Sequence, residues 1–146
     1  MTTAISPPNP AAPPVRLLLV DVHAISRASS RTLLDTLAEY QVVGETSEHQ
    51  EALELVARLE PDVVIISMRV QGSTGPQTAR DILQRHPGLP VVFWTLFDDP
   101  EYVRSALAAG ASAYVLKQDP AHEVELAIGH ALRGQTYLST GLQHLQ

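Results

Sequence analysis

The run DVVIIS, Asp62–Ser67, decides the fold. Four consecutive β-branched residues favour a strand, and an unbroken apolar run this short suits a strand buried on both faces, as in parallel sheets. Four runs of similar length flank it: VRLLLV (Val15–Val20), QVVGET (Gln41–Thr46), PVVFWT (Pro90–Thr95) and SAYVLK (Ser112–Lys117). QVVGET alternates more than the others and is predicted to be an edge strand.

The segments between these runs read as helices. Ser47 followed by Gln50 has the form of a capping box ahead of Ala52, Leu53, Val56 and Ala57, which share one helical face. Asp99 before Pro100 and Asp119 before Pro120 each place an N-cap ahead of a first-turn proline. Gly110 and Gly134 are placed to close those two helices in the left-handed conformation. In the last helix Val124, Ala127, Ile128 and Ala131 follow the i, i+3, i+4, i+7 pattern. A first helix is expected over roughly Ser26 to Glu39, with Leu33, Leu34 and Leu37 inward, and a third over roughly Pro76 to Arg85, with Ile82 and Leu83 inward. Five strands alternating with five helices predict a three-layer parallel α/β domain.

Composition narrows the function classes. The chain has 146 residues, 45% apolar, with sixteen acidic against ten basic side chains for a formal charge of -6. That balance gives no basic stripe for a phosphate backbone, so direct nucleic-acid binding is not expected. The absence of cysteine removes disulfide scaffolds, thiolate zinc sites and thiol nucleophiles, and fits a reducing cytoplasm. No apolar run has membrane-spanning length and no secretory signal pattern opens the chain. Residues 1–14, MTTAISPPNPAAPP, hold five of the eleven prolines and no charge and are expected to be a disordered leader. The folded domain is expected over 15–138, with a short tail over 139–146. Only eight residues follow Leu138, so the expectation is a stand-alone domain whose output passes through contact.

Ligands of open parallel sheets bind beyond the carboxyl ends of the strands. The residues at those ends are Asp21, Ser67, Thr95 and Lys117: a carboxylate, two hydroxyls and an amine. Lys117 is the only lysine, against nine arginines, so this position is one where a compact ammonium on a flexible stem is required.

LLLVDVH, LEPDVVIISMRVQG, VVFWT and AGASAYVLK, in that order and spacing, resemble the receiver domain of bacterial two-component response regulators. GETSEHQEAL and RGQTYLS are similar to the LuxR/NarL-type subfamily, whose receivers usually precede a DNA-binding domain. The resemblance implies a flavodoxin-like five-stranded sheet in the order 2-1-3-4-5, which the pattern of runs alone does not distinguish from a Rossmann order. It also implies that Thr95 is the switch hydroxyl, Tyr114 the switch aromatic and Lys117 the phosphate-contacting lysine.

The departures from the family pattern bear on function. A working receiver has an acidic pair after its first strand and an aspartate nucleophile after its third; here these positions hold Asp21 with Val22, and Ser67. Gln71 stands where the family commonly has proline, and Leu96 where it commonly has a small residue. A carboxylate is ionised at neutral pH, whereas a serine hydroxyl needs a general base. With three carboxylates and a lysine the family's pocket carries a formal charge of -2. Asp21 plus Lys117 gives zero, so no magnesium or other cofactor is expected. Asp62 cannot replace the missing acid, because five strand residues put it roughly 16 Å from Ser67. The expected arrangement is a direct ion pair between Asp21 and Lys117, with Ser67 and Thr95 supplying hydrogen bonds.

Asp21, His23 and Ser67 could be read as a hydrolase triad, but no GxSxG elbow surrounds Ser67. The remaining histidines lack metal-ligand spacing and are expected on the surface. No glycine-rich phosphate cradle follows the first strand. The function expected is a degenerate receiver, non-enzymatic, working in the cytoplasm as a phosphorylation-independent protein-interaction module. Its partner would be a sensor kinase, another response regulator or a second copy. The rival expectations are a Ser67 phosphoacceptor served by a serine kinase, an unconventional enzyme in the strand-end pocket, and control of transcription by pairing with intact relatives.

Overall fold

The computed structural model of the chain describes residues 12–145. Most of the proline-rich leader, residues 1–11, lies outside the described residues. In chain order the elements are β1 (Val15–Val20), α1 (Ala24–Asp35), β2 (Tyr40–Thr46), α2 (His49–Leu59), β3 (Val63–Ile66), β4 (Arg69–Val70), β5 (Ser73–Thr74) and α3 (Gly75–Arg85). They continue with β6 (Val91–Thr95), α4 (Pro100–Ala108), β7 (Ala113–Leu116), α5 (His122–Leu132), β8 (Tyr137–Leu138) and a 3-10 helix over Thr140–Leu145. The main sheet is wholly parallel, in the order β2-β1-β3-β6-β7-β8. This is a flavodoxin-like α/β fold.

Three expectations about the architecture are corrected. The sheet has six strands and the described residues hold six helices counting the 3-10 turn, against five and five. The additional strand, Tyr137–Leu138, pairs with Ala113 and Tyr114 of β7 and moves the sheet edge outward. Beyond it Ser139 and Leu142 are buried, so the core continues past Leu138. A small antiparallel hairpin, β4 with β5, also follows β3. The edge position of β2 is as the alternating run predicts, and its register slips by one residue between Leu17 and Leu18 of β1.

The continuous apolar runs follow from the two-sided packing. Along each central strand alternate residues enter opposite cores. Leu17, Leu19, Ile65, Val92, Trp94 and Val115 pack with Leu34 of α1 and Val124, Ala127 and Ile128 of α5. Leu18, Val20, Val64, Ile66, Phe93 and Tyr114 pack with the residues of α2, α3 and α4.

Helix ends depart from the sequence-based expectation where a backbone or carboxylate has another partner. α2 is capped by Glu48, whose carboxylate accepts from the amides of Gln50 and Glu51 at 2.9 and 2.8 Å. Ser47 is held elsewhere, because Ser47, His49 and Gln71 form a short backbone bridge that starts the helix one residue later. Asp99 caps α4 as predicted. Asp119 does not cap α5; its carboxylate accepts from the amide of Gly141 at 2.9 Å, and α5 starts after Ala121 without a side-chain cap. α1 ends at Asp35, short of Glu39, where the Thr36 hydroxyl donates back to the Leu33 carbonyl.

Candidate functional site

The period of two that splits each strand between the cores also sorts the polar residues at the strand ends. Asp21 continues the parity of Leu17 and Leu19, Ser67 that of Val63 and Ile65, and Lys117 that of Ala113 and Val115. All three face the α1 and α5 side, where they line one small cleft with Ser30 and Trp94. Thr95 and Tyr114 have the opposite parity and lie on the α2 to α4 side.

Lys117 is turned toward α1. Its ammonium lies 3.3 Å from Asp21 Oδ2, hydrogen-bonds the hydroxyl of Ser26, donates to Ser30 Oγ at 3.4 Å, and sits 5.4 Å from the Trp94 ring centroid. An ammonium has three N–H donors, and these three oxygens occupy them. The other Asp21 oxygen accepts from the His23 amide at 3.0 Å. Asp21 is buried, and the loop behind it is tied down by Arg27, which donates to the Asp21 carbonyl at 2.7 Å. Arg31 at 2.6 Å and Arg27 at 3.0 Å both bind Glu45, and hold its carboxyl below the usual carboxylate range.

Ser67 shares the cleft wall, but among the described residues its hydroxyl bonds neither Asp21 nor Lys117. The expected pair between Asp21 and Lys117 is present, while its expected hydroxyl partners are replaced. Ser26 and Ser30 supply the hydrogen bonds in place of Ser67 and Thr95: Thr95 has the opposite parity, and the ammonium is drawn past Ser67 to the helix hydroxyls. Ser26 and Ser30 are four residues apart on the first helix, a spacing that puts both on one face and that could have identified them in the sequence.

Thr95 is buried, and its hydroxyl accepts from the Phe97 amide at 3.4 Å. The Tyr114 hydroxyl donates to the Phe97 carbonyl at 2.7 Å, and the ring stacks on Phe93 with centroids 5.9 Å apart. Burial, reinforced by Asp98, pushes the Tyr114 phenol well above its ordinary range. Phe97 thus joins the two residues assigned as switch positions. Val22 lies outside the cleft; its amide donates to the Arg69 carbonyl at 3.3 Å and its side chain borders an open groove.

The receiver resemblance implies magnesium, and the residues present do not fit it. Magnesium takes oxygen ligands in a near-octahedral set that normally includes several waters. Asp21 already has a ligand on each oxygen, Val22 offers none, and Asp21, Ser67 and Lys117 leave no space for a water molecule between them. Among the described residues no three His, Cys, Asp or Glu side chains gather at metal-binding distance. The trio of Asp21, His23 and Ser67 does not assemble as a triad either: Asp21 holds the His23 backbone, and the ring of this exposed residue makes no hydrogen bond among the described residues. His49 is not the free surface histidine expected. Its Nδ1 is 2.8 Å from Thr78 Oγ1 and its Nε2 is 3.2 Å from Asp81, joining α2 to α3.

Residues 17–128 match the response regulator receiver domain family. The chain is 32% identical over 125 residues to the response regulator GacA of Pseudomonas viridiflava, covering 86% of this chain and 58% of that protein. It is 28% identical over 130 residues to the transcriptional regulatory protein DegU of Brevibacillus brevis, covering 89% and 55%. Among solved structures, a LuxR-family two-component response regulator from Aurantimonas sp. SI85-9A1 superposes with a TM-score of 0.85 at 30% identity, over 90% of this chain and 94% of that one. The chain spans little more than half the length of the curated relatives it matches. No described helix is long and apolar enough to cross a membrane.

Proposed function

Since the chain belongs to the response regulator receiver domain family of two-component signalling, yet has Ser67 and Val22 at two of the acidic positions, we propose that it is a degenerate receiver that signals by protein contact without phosphorylation. The observation that carries this reading is the occupancy of Lys117. A phosphoryl group on the residue after β3 needs the lysine's charge and donors, and here Asp21, Ser26 and Ser30 hold all three. Ser67 is also nearly buried at 8% exposure, which disfavours the second reading, a phosphoserine written by a serine kinase whose active site must surround the hydroxyl. Catalysis in the cleft is disfavoured for the same reason.

Exposed apolar side chains support output through contact. Leu96 stands out in the loop after β6, Tyr102 at the start of α4, Ile25 on α1, and Leu126 and Leu132 on α5. Large exposed apolar groups of this kind suit a protein partner: a sensor kinase, another response regulator or a second copy. The expected setting is the cytoplasm. The test is incubation with acetyl phosphate and magnesium followed by intact-mass measurement. The expected result is no gain of a phosphoryl mass; stoichiometric gain of a base-labile phosphoryl group overturns the proposal.

A further inference from the structure

Val22 borders a groove of about 650 Å³, within the range of small-molecule sites. Its walls are the hairpin after β3, the loop after β1 and the first turn of α4. Apolar contact is offered by Val22, Met68, Phe97 and Tyr102; the cationic or proton-donating groups are Arg69 and His23. The two aromatic rings meet edge to face with centroids 5.1 Å apart. The Arg69 guanidinium lies over the Phe97 ring at 5.3 Å and, among the described residues, makes no ion pair.

The charge in this groove runs against that of the chain. The protein carries a formal charge of -6, yet no carboxylate lines the groove. Of the nearby acids, Asp98 is exposed outside the lining and Asp99 is committed to capping α4. The backbone of Arg69 is fixed where it stands: it pairs with Thr74 across the hairpin, and its carbonyl accepts from the Val22 amide. A planar guanidinium without an ion-pair partner among the described residues, beside two aromatic rings and no carboxylate, suits a flat aromatic ring carrying a carboxylate. The ring lies against Phe97 and Tyr102, and the carboxylate takes the paired N–H donors of Arg69.

We propose that this groove binds a small aromatic carboxylate. The consequence for signalling follows from Phe97, whose side chain lines the groove while its amide and carbonyl hold Thr95 and Tyr114. Occupancy acts on both residues through that one backbone unit, and so supplies an input that needs neither phosphate nor metal. The site goes beyond the contact-only function proposed above and its test uses no phosphodonor.

The experiment is an amide NMR titration of the full chain with 2-naphthoate and, separately, with the neutral 2-naphthamide. The acid is expected to give saturable shifts at Val22, Arg69, Phe97 and Tyr102, and the amide to bind about tenfold more weakly. Arg69→Gln is expected to remove the preference for the acid while leaving a dispersed, folded spectrum. Absence of saturable shifts, equal affinity of acid and amide for the native chain, or shifts centred on another face overturns the proposal. The comparison of acid with amide on the native chain decides the matter even if Arg69→Gln does not fold.

Discussion

The Lys117 ammonium stands 3.3 Å from the buried Asp21 carboxylate, at the end of a strand three places away in the sheet from the one that carries Asp21 to its own end. The pair therefore ties β1 to β7 across the carboxyl edge of the sheet. Lys117→Met removes the ammonium and leaves Asp21 with the His23 amide as its remaining partner. One-sided removal from a buried pair costs roughly 3 to 5 kcal/mol, and the partial exposure of Lys117 places the expected loss near the lower figure. The check is the urea midpoint; a midpoint equal to that of the parent would mean that the pair does not hold the edge together.

Ser26 and Ser30 make a separate, smaller contribution. Replacing both by alanine leaves the ammonium with Asp21 and removes two hydroxyl acceptors. Each net hydrogen bond is worth about 1 kcal/mol, so the double variant is expected to lose about 2 kcal/mol in equilibrium unfolding. Combined with Lys117→Met, the serine replacements are expected to add almost nothing, since their partner is already gone. Full additivity in that triple variant would show that the serines stabilise α1 by some other means.

These serines illustrate where the sequence stops being legible. The five long strands were readable because burial on both faces removes the polar half of the usual alternation, and β2 was readable as an edge because Gln41 and Glu45 interrupt it. β8 has two residues and no room for a pattern, so Tyr137 and Leu138 looked like the end of the domain. Asp119 before Pro120 carried a local capping signal, but the amide of Gly141, twenty-two residues on, took its carboxylate. At the site, the identities of Asp21, Ser67 and Lys117 could be read from strand ends. The hydroxyls that serve Lys117 were legible only as an i, i+4 pair on one face of the first helix, a pattern that does not name its partner until the helix is docked. The same holds for His49, whose partners come from α3.

The C-terminal segment is expected to be acid-sensitive through Glu123. This buried carboxyl would be raised by desolvation alone, but hydrogen bonds from Thr140 and Tyr137, with His122 nearby, hold it below its ordinary value of 4.5. A group that binds its proton more weakly when folded stabilises the fold above its unfolded pKa and loses that contribution as pH falls through the folded one. Glu123→Gln is therefore expected to be less stable than the parent at neutral pH by about 1 kcal/mol. The gap is expected to close as pH falls from the ordinary value of 4.5 through the lower folded value. Glu45 titrates in both proteins and cancels in the difference. Urea midpoints of parent and variant across that range provide the check, and a gap that stays constant with pH is the contrary result.

Gly75 sets how closely the hairpin after β3 packs on the Ser67 backbone. A Cβ there would stand 2.2 Å from the Ser67 carbonyl oxygen and 2.9 Å from both Met68 Cα and Phe93 Cε2. Two of these neighbours are backbone atoms that cannot yield by changing rotamer. Overpacking in a core typically costs about 1 to 3 kcal/mol, and Gly75→Ala is expected at or above the top of that range, with thermal unfolding as the readout. An unchanged transition would mean that the hairpin moves freely with respect to Ser67.

Restoring the acidic positions gives the sharpest check on the reading of Val22 and Ser67. Ser67→Asp alone adds a second carboxylate beside a lysine that already neutralises the first, while Val22 still presents an apolar side chain. Val22→Asp alone leaves Ser67 without the carboxylate. Magnesium affinity is expected to stay poor in both single variants. Together the substitutions give three carboxylates and one lysine, a formal charge of -2, and supply the oxygen ligands a hard dication requires. Like-charge repulsion among the carboxylates then favours a dication between them over the present closed arrangement. The double variant is therefore expected to bind magnesium at least about tenfold more tightly than either single one, a difference of about 1.4 kcal/mol in binding free energy. Isothermal titration of the parent, both single variants and the double variant reads this directly. Equal binding by the parent and the double variant would mean that Val22 and Ser67 do not stand in the family's acidic pocket.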